Sequence, residues 1–378
     1  MRGCAPRAAH RLGCGDAGGG RADRRARGEG SRPVSRIVHG GLSDADLAAA
    51  GADAGDVIDL SANLHPDGPH PLVIEAMRNA ALDRYPEPDA ASLRDAIAES
   101  IGLEPEQVLV TAGATGAIHL AAHALLRPGD ACTVFTPAFS EYEGAARAAG
   151  ARVVRHDAAP PEFVPPSDPP PAALTMIGNP GNPHGAYLEA GAVRRLAAES
   201  GGVLLLDAVY EPFVEDSWDA NELVRQGFPV LVVHSFTKPH SIPGLRIGYV
   251  TGPGELIARL AALQQPWVVG APALAAAHAA LPLAASRRAI AGAVGETREA
   301  LRSFFAERGV GTAPSRANFV LAFVGDAAGL RARLLRRGFA IRDCTSFGLP
   351  EWVRIATPSA RDLPRLITAI EETLGERA

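Results

Sequence analysis

Lysine is almost absent from this chain. Of its 378 residues, 37 are lysine or arginine, and only Lys238 is lysine. A composition that uses arginine wherever charge alone is needed leaves one position where a primary amine was kept. A guanidinium stays protonated and cannot condense with an aldehyde. An ε-amine can shed its proton when desolvated and form a Schiff base. Lys238 is therefore either a nucleophile or a chance survivor, and its neighbours decide between the two.

Other scarcities exclude whole classes. The four cysteines, Cys4, Cys14, Cys132 and Cys344, show no CxxC spacing, which argues against a disulfide framework or a zinc site and suits a reducing cytoplasm. No apolar run approaches the about 20 residues that a membrane span requires. A net charge of −5 gives no electrostatic reason to expect nucleic acid or an acidic membrane as partner. The first 36 residues hold nine arginines and many glycines but no signal-peptide core, and read as a disordered extension. His119 and His123 have the spacing of two zinc ligands, but leucine follows His119 where the glutamate of HExxH would stand. We expect no metal, and two histidines packed behind a turn.

What is present alternates. From Ile58 onward, short β-branched runs are separated by alanine- and leucine-rich stretches of helical period. Strands are predicted at Val108–Thr111, Ala131–Phe135, Arg152–His156, Leu174–Gly178, Val203–Asp207, Val230–Ser235 and Ile247–Thr251. Helices are predicted at Ala114–Leu126, Ser140–Ala149, Glu189–Ser200 and Gly254–Leu263. This is an α/β pattern with a mostly parallel sheet flanked by helices. The proline-rich stretch Pro160–Pro171 reads as a surface loop. After Pro266 a long helical region over Pro272–Arg308 precedes a smaller α+β part. That part has strands near Phe319–Phe323, Ala340–Arg342 and Trp352–Ile355, and helices near Ala327–Arg337 and Asp362–Leu374. Four regions are expected: a tail over 1–36, an arm over 37–68, a large domain over 69–266 and a small one over 267–378.

Chemistry-bearing residues fall where these strands end, the place where open α/β sheets bind ligands. TAGATGAI, with Gly113, Ala114 and Thr115, opens a helix with small residues whose N–H groups can hold a phosphate. A tight strand-to-helix turn would look the same. TPAFSEYE places Phe139 where a ring could cover a flat cofactor, or simply fill the core. GNPGNPHG holds Asn182, a donor for a phenolate oxygen or an ordinary Asn-Pro turn. VLLLDAVY ends an apolar strand on Asp207, a costly place for a carboxylate unless it meets a cation such as a protonated ring nitrogen. Tyr210 can reach the oxygen of the same ring. In SFTKPHSIPGLRIGY, Ser235 lies three residues before Lys238 and Arg246 eight after, and the pair suits a phosphate monoester. His240 lies near the lysine and would stand at the pocket mouth.

In that order and spacing, residues from about 55 to 375 resemble the pyridoxal-phosphate enzymes of the aspartate-aminotransferase superfamily, fold type I. The resemblance implies pyridoxal 5′-phosphate as cofactor, joined to Lys238, which then moves protons at the substrate α-carbon. It implies that Asp207 pairs with the ring nitrogen and that Asn182 and Tyr210 bond the ring oxygen. Gly113, Ala114, Thr115, Ser235 and Arg246 would hold the phosphate. It further implies a cytoplasmic homodimer with shared active sites, in which Tyr85 of RYPEPD reaches the neighbouring subunit's phosphate. Arg354 of WVRIATPS would grip the substrate carboxylate.

Three further stretches, IDLSANLHPDGP, PGLRIGY and AIRDCTSFGLPEWVRIA, are similar to the clade of histidinol-phosphate aminotransferase and threonine-phosphate decarboxylase. There Asn63 and Arg342 would contact a phosphorylated amino-acid substrate. His39-Gly40-Gly41 and Gln264–Leu274 lean toward the decarboxylase. The alternatives are the aminotransferase, a relative recruited to another substrate, or a non-catalytic regulator that keeps the cofactor site. The sequence departs from the clade at Phe139 for tyrosine, His65 for asparagine, and Gly181 and His184 for asparagine and threonine.

Overall fold

Fully apolar strands separated by amphipathic helices leave one economical arrangement, a sheet buried on both faces. The computed structural model describes residues 40–51, 53–165 and 168–375. In chain order its strands are β1 (Ile58–Asp59), β2 (Val108–Thr111), β3 (Ala131–Thr136), β4 (Arg152–Asp157), β5 (Leu174–Gly178) and β6 (Val203–Asp207). They continue with β7 (Val230–Ser235), β8 (Gly248–Thr251), β9 (Phe319–Phe323), β10 (Phe339–Ala340), β11 (Arg342–Asp343) and β12 (Trp352–Ala356). Seven of them form one sheet in the order β2-β8-β7-β6-β5-β3-β4. The run from β7 to β4 is parallel, and β8 lies antiparallel to both β2 and β7. The seven predicted strands are these seven, with ends shifted by one residue at most.

Side chains alternate along a strand, and here both faces find a core. Leu204, Leu206, Val230 and Val232 pack on one side, while Leu205, Leu231, Val233 and Val250 pack on the other with helices Gly113–Leu125, Ser140–Ala148 and Gly254–Ala261. Because β2, β3, β5, β6 and β7 all run the same way, their carboxyl ends share one edge. That edge delivers Gly113, Phe139, Asn182, Asp207 and Ser235 to one place.

The smaller sheet, β11-β12-β9, is antiparallel. The strand expected over Ala340–Arg342 is two short strands instead, β10 parallel to β1 and β11 antiparallel to β12. The arm residues therefore join this end of the molecule. Leu60 donates its N–H to the Ala340 carbonyl at 2.8 Å and accepts from Ala356 at 2.9 Å.

Three more expectations change. The helical region Pro272–Arg308 is two helices, Ala271–Ala280 and Arg287–Ala306, split by a 3-10 turn over Leu281–Ser286. Pro282 lacks an N–H and clashes with the preceding turn, which breaks the helix there. Helices Pro71–Arg78 and Ala91–Ile101 were not anticipated. Pro160–Pro171 is more than a surface loop, because Phe163 is fully buried against Trp352, Leu321 and Cys344. Proline rigidity sets the loop, but the phenylalanine pins it. The tail and His39 lie outside the described residues.

Candidate active site

A cleft of about 660 Å³ opens at the carboxyl edge of the large sheet. One end of it is the start of helix Gly113–Leu125. Gly113 has φ 74°, a left-handed value that glycine adopts without strain. A Cβ there would lie 2.9 Å from Arg246 Nη2, so the guanidinium sits directly over this turn. Arg246 is anchored by Nη1 donating to the Pro243 carbonyl at 3.2 Å. Ala112, at the cap position, supplies no side-chain acceptor. The first N–H groups of the helix and the Arg246 guanidinium together make an anion site, which Ala114, Thr115 and Ser235 also line.

Lys238 lies deeper in the same cleft. Its Nζ donates to the Ala62 carbonyl at 2.6 Å, a contact brought by the arm. Burial, then the positive charges of Arg354 and Arg246, lowers its pKa to about 8, against opposing pulls from Asp59 and Asp207. An amine that ionises near 8 has a substantial neutral fraction at neutral pH, which nucleophilic attack requires. Two expectations follow. Cofactor capture by the cofactor-free chain should rise about tenfold per pH unit below pH ~8 and level off above it, as stopped-flow absorbance would show. Between about 8 and the ordinary lysine value of 10.5, the unfolded chain holds a proton that the native chain has released, so stability should rise with pH across that window.

Asp207 is buried at the end of β6. Its Oδ2 accepts from the Tyr142 hydroxyl at 2.7 Å and its Oδ1 from the Val209 N–H at 3.1 Å. Burial raises its pKa, and those two hydrogen bonds and Lys238 pull it back. A carboxylate so placed favours a cationic partner at its open side. Tyr142 escaped the sequence reading, although it lies three residues after Phe139, one helical turn on the same face. The rings of Phe139 and Tyr142 meet edge-on at 5.9 Å.

Tyr210 receives a hydrogen bond from Asn63 Nδ2 at 3.2 Å and packs edge-on against Phe319. Asn63 is completely buried, so it touches Tyr210 instead of lining the cleft. Asp59 was also missed. It lines the cleft, and its Oδ1 holds the Ser61 hydroxyl at 2.6 Å, which in turn accepts from the Gly41 N–H at 2.8 Å. A Cβ on Gly40 would come within 2.4 Å of the Ser61 carbonyl, so the arm lies close over the site.

Arg342 and Arg354 face each other directly across β11 and β12. Both are buried, at 9% and 4% exposure, and like charges in that position repel. Arg354 Nη2 donates to the Ser61 carbonyl at 2.6 Å, Nη1 donates to Asn182 Oδ1, and Nε has no partner among the described residues. Arg342 Nη2 donates to Ser346 at 2.7 Å, and its guanidinium lies over the Phe347 ring. Burial and then Arg354 depress the Arg342 pKa. Such a pair calls for an anion between or beside the guanidiniums.

Some candidates stand elsewhere. Tyr85 is 82% exposed and leans on Trp267, outside this cleft. His240 stacks on Phe236 and does not line the cleft. His119 Nε2 lies 2.7 Å from Glu141 Oε2, and His123 Nδ1 bonds the His119 carbonyl.

The family profile of aminotransferase class I and II matches residues 55–370, and the chain belongs to that family. The histidinol-phosphate aminotransferase of Rhodopseudomonas palustris is 33% identical over 337 residues, covering 85% of this chain and 92% of its own. That of Halorubrum lacusprofundi is 34% identical over 340 residues, covering 86% and 91%. Among solved structures, the L-threonine-O-3-phosphate decarboxylase of Porphyromonas gingivalis superposes with a TM-score of 0.72 at 28% identity, over 84% of this chain and 99% of that one. The histidinol-phosphate aminotransferase of Sinorhizobium meliloti, solved with pyridoxal-5′-phosphate, shares the fold with a TM-score of 0.78 at 23% identity, over 89% and 95%.

Proposed function

We propose that this chain is a pyridoxal-phosphate-dependent aminotransferase of the histidinol-phosphate type, acting on a small phosphorylated amine. The observation that carries the reading is the place of the sole lysine. Its buried amine shares one cleft with Asp207, an arginine-topped helix start and an opposed arginine pair. The residues fit the cofactor group by group. Gly113, Ala114, Thr115, Ser235 and Arg246 would hold its phosphate, Asp207 its ring nitrogen, Asn182 and Tyr210 its ring oxygen, and Phe139 would cover its face. When bound, pyridoxal phosphate supplies an electron sink for charge developing at the substrate α-carbon.

The chain's own residues then divide the work. Asp207 keeps the ring nitrogen protonated, and Tyr142 holds that carboxylate in place. Lys238 Nζ would take the proton from the carbon that loses the amino group and deliver it to the carbon that gains it. Arg342 would bind the phosphate of the phosphorylated amine, and Arg354 the carboxylate of the oxoacid that accepts the amino group. We assign residues 69–266 to the cofactor domain and 267–375, with the arm over 40–68, to the smaller one. Exposed Tyr85, beside Trp267, supports a homodimer in which it reaches a second copy's site.

The sequence leaned toward decarboxylation, and the relatives above 30% identity move the reading to amino transfer. The solved decarboxylase at 28% identity keeps decarboxylation as the second reading. Mass spectrometry separates the two. Histidinol phosphate with 2-oxoglutarate should yield glutamate, whereas threonine phosphate losing carbon dioxide in their place would establish the decarboxylase. Arg342→Ala should raise KM for the phosphorylated substrate by about 30-fold or more while changing KM for an unphosphorylated amino acid by less than about threefold. Equal effects on both would remove the phosphate from Arg342.

A further inference from the structure

Behind the candidate site runs a row of rings that the proposed chemistry does not use. His184 stacks on Phe163 with centroids 5.5 Å apart and 11° between planes. Phe163 meets Trp352 edge-on at 5.6 Å, and Trp352 meets Phe323 at 5.3 Å. Two members of this row are tied to the site. His184 lies two residues after Asn182, and Trp352 lies two before Arg354 on the same face of β12. Since Arg354 also donates to Asn182, the same two elements are joined twice: by a polar contact in the cleft and by rings behind it.

The fit leaves little freedom. A Cβ on Gly181 would stand 2.2 Å from His184 Cε1 and 2.5 Å from Nε2, so any larger residue there displaces the ring. His184 is further fixed by Nδ1 accepting from the Ala186 N–H at 3.0 Å. Burial drops its pKa to about 4, so the stacked ring is neutral at physiological pH. Phe163 is fully buried yet has φ 50°, a left-handed backbone that a bulky residue keeps only when its surroundings over-determine it.

We propose that Phe163 and His184 are positioning residues, an aromatic brace that keeps Asn182 and Arg354 in contact and so fixes the direction in which the Arg354 guanidinium meets a substrate carboxylate. This role rests on the carboxylate reading of Arg354. It also makes Gly181 and His184 one coupled unit.

Hydrogen exchange on the full chain tests the brace without substrate. Phe163→Leu keeps an apolar side chain and removes the ring stack. Amides of residues 179–186 and of β12 should exchange about tenfold faster together, with β6 and β7 unchanged. No change in the two segments, or a rise that includes β6 and β7, overturns the proposal. In turnover of histidinol phosphate with 2-oxoglutarate, the same variant should raise KM for the oxoacid about tenfold with kcat within about twofold. A loss of kcat with KM unmoved contradicts a positioning role. Gly181→Ala should raise that KM about tenfold when His184 is present and less than about twofold in a His184→Ala background, and additive effects would break the coupling. If the unmutated chain turns over neither substrate, the functional reading fails while exchange still decides the brace.

Discussion

Lys238→Ala should lose at least about 10³-fold in kcat and all of the long-wavelength absorbance of lysine-bound cofactor. Two functions disappear with one side chain. The amine that captures the cofactor is gone, and so is the base that moves the α-proton. No other lysine exists to substitute for it. Arginine offers no rescue, because a guanidinium does not give up its proton at usable pH. Lys238→Arg should therefore be as inactive as the alanine variant while folding normally, which circular dichroism and a kcat measurement would show together. A small added amine restoring part of the rate to Lys238→Ala would identify the lost group as the base. Multiple turnover in Lys238→Ala without any added amine would end the mechanism.

Asp207→Asn is the second large effect, with opposite consequences for activity and stability. The asparagine keeps the shape, with Oδ1 accepting from the Val209 N–H and Nδ2 donating to the Tyr142 hydroxyl, but it cannot balance a ring cation. Activity should fall about 10²–10³-fold, the size expected when a preorganised charge is removed from a water-poor site. The cofactor-free protein should meanwhile melt at a higher temperature. Burial raises the Asp207 pKa, so the native chain binds this proton more tightly than the unfolded chain does. Stability then falls as pH rises from the ordinary carboxylate value of 3.8 to the raised one, and at neutral pH the buried charge is a net cost. Asparagine removes that cost. Calorimetry without cofactor and kcat with it check both halves, and a variant less stable than its parent at pH 7 would contradict the electrostatic account.

Much of the architecture was legible because burial writes itself into composition. Strands such as Val203–Asp207 and Val230–Ser235 are continuous apolar runs, and their charged or hydroxyl-bearing last residues mark the edge where a ligand can bind. The members of the cleft could thus be gathered from strand ends alone. What escaped depends on three-dimensional register. Nothing local says that Arg342 and Arg354 stand opposite each other, since that follows from the pairing of β11 with β12. The bond from Tyr142 to Asp207 joins residues 65 apart in sequence. Phe163 sits in a proline-rich stretch whose composition describes a loop, while its burial is decided by Trp352 and His184. Helix Pro71–Arg78 has eight residues, too few turns for a clear period.

The central claim is that Lys238 carries the cofactor, and a single lysine makes the measurement unusually clean. The protein would be loaded with pyridoxal phosphate, reduced with borohydride, digested and weighed. The account predicts one reduced pyridoxyl phosphate per chain, carried by the peptide that contains Lys238. No label after reduction, or label confined to the amino terminus, would contradict it.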